Sequence, residues 1–232
     1  MTGHALLRDR PIRPRLVIFD CDGVLVDSEP VSNRILADDL TARGWPMPTA
    51  EATRRFLGLS LPAMRPSVEA HLGHRLPQDW EGTLQSRIVA ALAEEATAVP
   101  GALAALSATT ALGLPWRVAS NSSHAEMVAK FRRIGIVDRV AGRVHSFTDV
   151  ALGKPAPDLF LATAAAEGVT PAECLVVEDS VTGVRGAVAA GMTCFGFAPH
   201  GDGSVLRAAG AIPFHAMTDL PALLATTLRR AA

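Results

Sequence analysis

Four short and largely apolar runs constrain this chain more than any other feature: Leu16 to Phe19, Trp116 to Ala119, Leu175 to Val177 and Thr193 to Phe197. A strand with one face in water alternates polar and apolar residues. Runs this brief and this continuous describe strands covered on both faces, the condition of a parallel sheet buried between helices. Stretches of helical spacing separate the last three runs, and that alternation is the pattern of an α/β protein. The first three runs end on polar groups: Asp20 after one, Ser120 and Asn121 after another, Glu178 and Asp179 after the third. In open α/β sheets ligands occupy the crevice beyond the C-terminal ends of the strands, so three remote segments are expected to deliver these groups to one place.

Helix signals fit the same frame. Ser123 and Glu126 form an S-x-x-E capping box ahead of Met127 to Ile134, with Gly135 placed to stop that helix. Pro157 suits the first turn of another, running to Glu167 and ending at Gly168. Between the first and second runs lies far more chain than one crossover helix needs, and its pattern is helical throughout. Pro30 to Arg43 closes at Gly44, Thr49 to Phe56 closes at Gly58, Leu61 to Leu72 follows, and the last segment runs from Pro77 to Ala98. The expected architecture is a doubly wound, Rossmann-like α/β core over residues 15–29 and 100–232, with an inserted α-helical cap over residues 30–99. Its hinges fall at Ser28 to Pro30 and Val99 to Gly101, where Pro and Gly interrupt the pattern. Residues 1–14 read as a flexible arm, basic at its end and lacking the apolar segment of a signal peptide.

Composition narrows the function classes. With 232 residues, 49% of them hydrophobic, the chain can bury one full core and a small second one. Its 22 basic and 23 acidic side chains leave a net charge of −1, which supplies no long-range pull toward nucleic acid or anionic lipid. No apolar run approaches the roughly 18 residues of a membrane-spanning helix. Cys21, Cys174 and Cys194 are odd in number, widely spaced and set in apolar stretches. That usage suits reduced, buried thiols and a cytoplasmic address better than a disulfide framework or a zinc site.

The chemistry concentrates in Phe19-Asp20-Cys21-Asp22-Gly23-Val24, an apolar strand running into two carboxylates two positions apart. Unpaired like charges this close are costly to bury, and Glu178 with Asp179 adds two more acids from a second strand end. A hard divalent cation with oxygen ligands is the natural neutraliser, and Mg²⁺ is the expected ion. Lys154 is one of only two lysines in the chain, Lys130 being the other. Pro155 restricts the backbone of Lys154 to extended conformations, which aims its ammonium. Ser120 and Asn121 precede a helix, so hydroxyl, amide and free N–H groups there can receive a phosphate. Acids, divalent ion, lysine and helix-end donors are the ingredients of phosphoryl transfer, with a carboxylate as nucleophile.

These motifs resemble those of the haloacid dehalogenase superfamily, in its branch with a helical cap inserted after the first motif. Asp20-x-Asp22-Gly-Val is similar to the first motif, Ser120 to the second, Lys154 to the third and Glu178-Asp179 to the fourth, in order across nearly the whole chain. The resemblance implies that Asp20 is a nucleophile forming an aspartyl-phosphate, and that Asp22 is first general acid and then general base. It implies that Asp20, the main-chain carbonyl of Asp22, and Asp179 hold Mg²⁺ with Glu178 as a closer or outer ligand. Ser120 and Lys154, helped by Asn121, are then the phosphate-binding residues. The partner is a small phosphorylated metabolite such as a sugar phosphate or phosphoglycolate.

Three other readings of the same motifs are weighed. A dehalogenase needs no acid at position 22, because halide leaves without a proton whereas an ester oxygen takes one. Sugar-phosphate mutases of β-phosphoglucomutase type share the core motifs but have a histidine in the place of Ser32 and a cap arginine in the place of Leu61, so the resemblance favours hydrolysis. A non-catalytic sensing or interaction protein is expected to have lost one of Asp20, Asp22, Lys154 or Asp179, and all four are present. Among the remaining residues, Trp45 and Trp80 read as cap core. Arg54, Arg55 and Arg65 read as a solvated helix face, with a second-anion contact as the alternative. The histidines lack metal-ligand spacing.

Overall fold

The computed structural model describes residues 13–56 and 59–230. The expected arm therefore lies almost wholly outside the described residues, as does the helix stop at Gly58. β1 (Leu16–Phe19), β4 (Trp116–Ser120), β5 (Val144–Ser146), β6 (Cys174–Glu178), β7 (Thr193–Phe197) and β8 (Ile212–Phe214) form one sheet in the order β5-β4-β1-β6-β7-β8. Every pairing in it is parallel, with Phe19 of β1 in register with Val118 of β4 and Val177 of β6. The chain winds outward from β1 through β4 and β5, crosses back to β6, and winds the other way through β7 and β8. β1 is thus the switch point of a doubly wound sheet.

Period-two alternation feeds two cores from each central strand. Val17 and Phe19 of β1, with Leu175 and Val177 of β6, face one layer. Leu16 and Ile18, with Cys174 and Val176, face the other. The first layer is roofed by α5 (Ala102–Ala111), α6 (His124–Arg133) and α11 (Leu220–Arg230), through Leu106, Phe131 and Leu224. The second is roofed by α8 (Asp158–Glu167) and α9 (Val181–Ala189), through Phe160 and Val184. Each fully buried aliphatic or aromatic side chain contributes about 1.5–3 kcal/mol, so β1 is held chiefly by burial on both faces. The two edge strands, β5 and β8, escaped the sequence reading. They are three residues long and carry His145, Ser146 and Pro213, and an edge strand needs neither continuous apolarity nor every N–H.

The helical insertion comprises α1 (Glu29–Ala42), α2 (Thr49–Phe56), α3 (Leu61–Leu72) and α4 (Trp80–Glu95). The last is shorter than the expected Pro77 to Ala98 at both ends. Thr97 and Ala98 instead form β3, pairing antiparallel with β2 (Val26–Asp27), so both crossings between insertion and core run through one two-stranded ribbon. Alanine-rich sequence favours helix locally, and here tertiary strand pairing overrides it.

Asp39 staples α1 to α4. Its Oδ2 accepts from Arg43 Nε at 2.7 Å and from the buried Trp80 indole N–H at 2.8 Å, and its Oδ1 accepts from Arg87 at 2.7 Å. Burial works against its charge, but these donors outweigh it and hold the carboxyl below the usual range. Asp39→Ala leaves an indole N–H and two guanidinium groups without their acceptor, and is expected to cost about 3 kcal/mol. A folded-state pKa below the unfolded one means this contribution is present above roughly pH 4 and lost as pH falls through the folded value. The gap in melting temperature between wild type and Asp39→Ala should therefore be widest at neutral pH and close on acidification. A gap that persists unchanged at pH 3 excludes the charge as its origin.

Candidate active site

Three adjacent strands deliver the polar groups. Asp20 directly follows β1, Ser120 ends β4, and Glu178 ends β6 with Asp179 next. Lys154 arrives from the loop between β5 and α8. Asp20, Asp22, Ser120, Asn121, Lys154, Glu178 and Asp179 all line one pocket of about 310 Å³ at the C-terminal edge of the sheet.

Lys154 is the centre of the arrangement. Its ammonium is buried, donates to Asp20 Oδ1 at 2.6 Å and to Glu178 Oε1 at 2.6 Å, and lies 5.0 Å from the Phe160 ring centroid. Its backbone is tied by Asn121, whose Oδ1 accepts from Lys154 N at 2.9 Å and whose Nδ2 donates to Lys154 O at 3.0 Å. The Asn121 side chain is thus committed to aiming the lysine, which leaves its main-chain N–H as what it can offer an anion. Ser120 Oγ accepts from Ser122 N at 3.1 Å, so its own O–H is available to donate.

Asp20, Glu178 and Asp179 present oxygens within 4.8 Å of one another. Among the described residues only Lys154 forms an ion pair with any of the three. Burial pushes the Asp20 carboxyl up to about 7 despite the pull of Lys154, and burial together with Glu178 and Asp20 raises Asp179 well above the usual carboxylate range. Two buried carboxylates and a half-buried one against one ammonium form a donor set with charge left over for a hard cation. Glu178 has its lone pairs engaged: Oε2 accepts from Asp179 N, Ser180 N and Ser180 Oγ, and Oε1 from Lys154.

Two glycines are dictated by this packing. Gly23 has φ +74°, and a Cβ there would lie 1.9 Å from Asp179 Oδ2, so any side chain would displace the carboxylate. A Cβ on Gly183, in the first turn of α9, would lie 1.7 Å from Glu178 Oε1. Cys21, between the two aspartates, is buried in the layer below the sheet, and burial pushes its thiol well above the ordinary range.

The sequence reading missed two residues. Lys130 on α6 donates to both Asp22 oxygens and to Ser122 Oγ, each at 2.8 Å, and Ser122 Oγ donates to Asp22 Oδ2 at 2.8 Å. Although burial opposes ionisation, Lys130 and Ser122 hold the Asp22 carboxyl below its usual range. A signal was present. Lys130 shares the buried stripe of α6 with Met127 and Phe131, and a lysine on the apolar face of an amphipathic helix needs a buried partner.

A second cavity, of about 650 Å³, opens above the first between insertion and core, and the two share Asp22, Glu29 and Ser122. Ser32 and Leu61, the positions that set this chain apart from the mutases, both line it. Arg54, Arg55 and Arg65 do not: Arg55 lies over Trp45, and Arg65 is spent on Glu69, Glu81 and two backbone carbonyls. Gln85 of α4 bonds Glu126 of α6, joining insertion to core at the cavity wall. None of the described histidines lines either cavity; His71 stacks on Trp45 and His124 bonds Asp149.

A parallel sheet wound both ways from β1, with an aspartate pair at that strand's end, a buried lysine and an acid pair on the next strand, defines a hydrolase of the haloacid dehalogenase class. The sequence model of the haloacid dehalogenase-like hydrolases matches residues 14–191, and the chain belongs to that family. It is 31% identical over 191 residues to the 6-phosphogluconate phosphatase of Escherichia coli (strain K12), an alignment covering 81% of this chain and 85% of that one. Among solved structures it resembles a conserved haloacid dehalogenase-like protein from Agrobacterium tumefaciens, with a TM-score of 0.81, 34% identity, and coverage of 92% of this chain and 98% of that one. It also resembles a family hydrolase from Deinococcus radiodurans solved with bound phosphate and sodium, with a TM-score of 0.80, 31% identity, and coverage of 94% and 97%. Among the described residues no helix is long and apolar enough to cross a membrane.

Proposed function

We propose that this protein is a Mg²⁺-dependent phosphatase of small phosphate monoesters, working through an aspartyl-phosphate on Asp20. The observation that carries the proposal is the pairing of Asp20 with Lys154 in the pocket where Asp22 stands beside it, held by Lys130 and Ser122. The phosphate relatives reported above support the substrate class, and the three free, buried cysteines support a cytoplasmic address.

Asp20 attacks phosphorus, the ester P–O bond breaks, and the departing oxygen takes a proton from Asp22, which enters the step protonated because the bound ester's negative charge opposes the ionised state in which Lys130 holds it without substrate. Asp22, now a carboxylate, removes a proton from water as that water attacks phosphorus and releases phosphate from Asp20. Lys154, the Ser120 hydroxyl and the Asn121 main-chain N–H hold the phosphoryl oxygens. Asp20, the Asp22 carbonyl and Asp179 would hold the ion, with Glu178 behind them because its oxygens already accept from protein donors. When bound, Mg²⁺ supplies neutralising charge to the transferring group. The helical insertion covers the crevice, which limits water and places its own side chains at the leaving group. Mutase chemistry is disfavoured by Ser32 and Leu61 at the cavity wall.

Phosphate release from a panel of monoesters should stop on EDTA treatment and return with Mg²⁺. Read as kcat/KM, which reports formation of the phospho-enzyme and not its hydrolysis, Asp22→Asn should slow alkyl esters by about 10³-fold, and nitrophenyl phosphate, whose leaving group needs no proton, by about tenfold. Equal slowing of both removes the acid role from Asp22, and release that survives chelation removes the metal.

A further inference from the structure

The upper cavity is poor in positive charge. Its volume of about 650 Å³ is ample for a carbon skeleton attached to a phosphate seated in the lower pocket. Among the described residues that line it, Lys130 is the only cation, and its three N–H bonds all go to Asp22 and Ser122. It has nothing left for a substrate anion. Glu81 is matched by Arg65 on its far side, but Glu29 and Glu126 also line the cavity and have no ion pair among the described residues. The wall is therefore net negative.

The rest of the wall is of two kinds. Ser32, Asn33, Ser60 and Gln85 offer hydroxyl and amide groups, while Leu36, Phe56, Met64 and Ile88 offer apolar surface. Such a lining receives a molecule with hydroxyls along one side and C–H surface along the other. A carboxylate or second phosphate entering it meets Glu29 and Glu126, the latter hydrogen-bonded by Gln85 and the Ser123 N–H but neither of them paired with a cation among the described residues, and it finds no free cation of its own; desolvating an unpaired anion costs several kcal/mol.

We infer that the preferred substrates are phosphate monoesters of uncharged, hydroxyl-bearing carbon skeletons, and that esters carrying a second anion are selected against. This rests on the phosphatase reading and deepens it. It also separates this chain from its Escherichia coli relative, named for an ester that bears a carboxylate.

The test uses matched pairs that differ only in CH₂OH against carboxylate: sorbitol 6-phosphate against 6-phosphogluconate, and ethylene glycol monophosphate against phosphoglycolate. The uncharged member of each pair is expected to have a kcat/KM about 100-fold the higher. Asn33→Arg, which places a cation in the wall, should move each ratio at least about tenfold toward the carboxylate, and being a ratio this survives partial loss of folded protein. If the uncharged members are turned over no faster than their partners in both pairs, the charge selection is wrong while the phosphatase reading stands. If phosphate is released from none of these, nor from nitrophenyl phosphate, both fall together.

Discussion

Asp20→Asn should remove about 10⁴-fold or more of the phosphatase activity while leaving the fold intact. An amide cannot displace the ester oxygen to form an acyl phosphate, so the loss falls on the chemical step and not on binding. Stability argues in the same direction. Asp20 is buried among Glu178, Asp22 and Asp179, and burial, with the charges of Glu178 and Asp22, pushes its carboxyl up to about 7 against the pull of Lys154. Removing that charge relieves repulsion, and an amide oxygen still accepts from Lys154 Nζ, now 2.6 Å from Oδ1. The variant should melt no lower than wild type at pH 7, bind phosphate esters, and trap no label on protein in a rapid acid quench with ³²P substrate. Retention of more than about 1% of wild-type turnover would falsify the assignment of Asp20 as nucleophile.

Lys154→Met is expected to damage both fold and function. The side chain is 4% exposed and bridges Asp20 and Glu178, themselves 10% and 1% exposed. Methionine fills the volume beneath the pocket but leaves three carboxylates facing one another without their ammonium. Breaking a buried ion pair from one side costs about 3–5 kcal/mol, which for a chain of this size lowers the melting temperature by roughly 10 °C. Activity should fall by about 10³-fold through loss of the charge that steadies the transferring phosphoryl group. Adding Asp20→Asn to Lys154→Met should return part of the lost stability, because it removes one of the stranded acids; a double-mutant cycle reads that coupling. Strictly additive melting shifts mean that the two groups do not interact as described.

How much of this was readable in the chain differs from element to element. The capping box of Ser123 and Glu126 and the glycine stop at Gly168 are local hydrogen-bonding and φ requirements, and both occur where the spacing placed them. β1, β4, β6 and β7 were legible because a strand buried on both faces has an apolar sequence. β5 and β8 were not, since an edge strand is chosen by its neighbour. The Thr97–Ala98 ribbon was hidden for the same reason: its partner lies at Val26–Asp27, on the far side of the four inserted helices.

By itself the sequence determined the alternation of elements, the insertion after the first strand, and the residue types at each strand end. These follow from periodicity and from the few local rules that cap helices and stop them. Only the tertiary structure decided which charge meets which. Lys130 reaches Asp22 across 108 positions of chain and Lys154 reaches Asp20 across 134, and nothing local distinguishes those pairings from their exchange. The cation-poor wall of the upper cavity is a decision of the same kind, because Arg65, which the sequence left free to face a substrate, is drawn away by Glu69 and Glu81. Partner choice among buried charges depends on distances fixed by packing, and packing is a property of the whole chain.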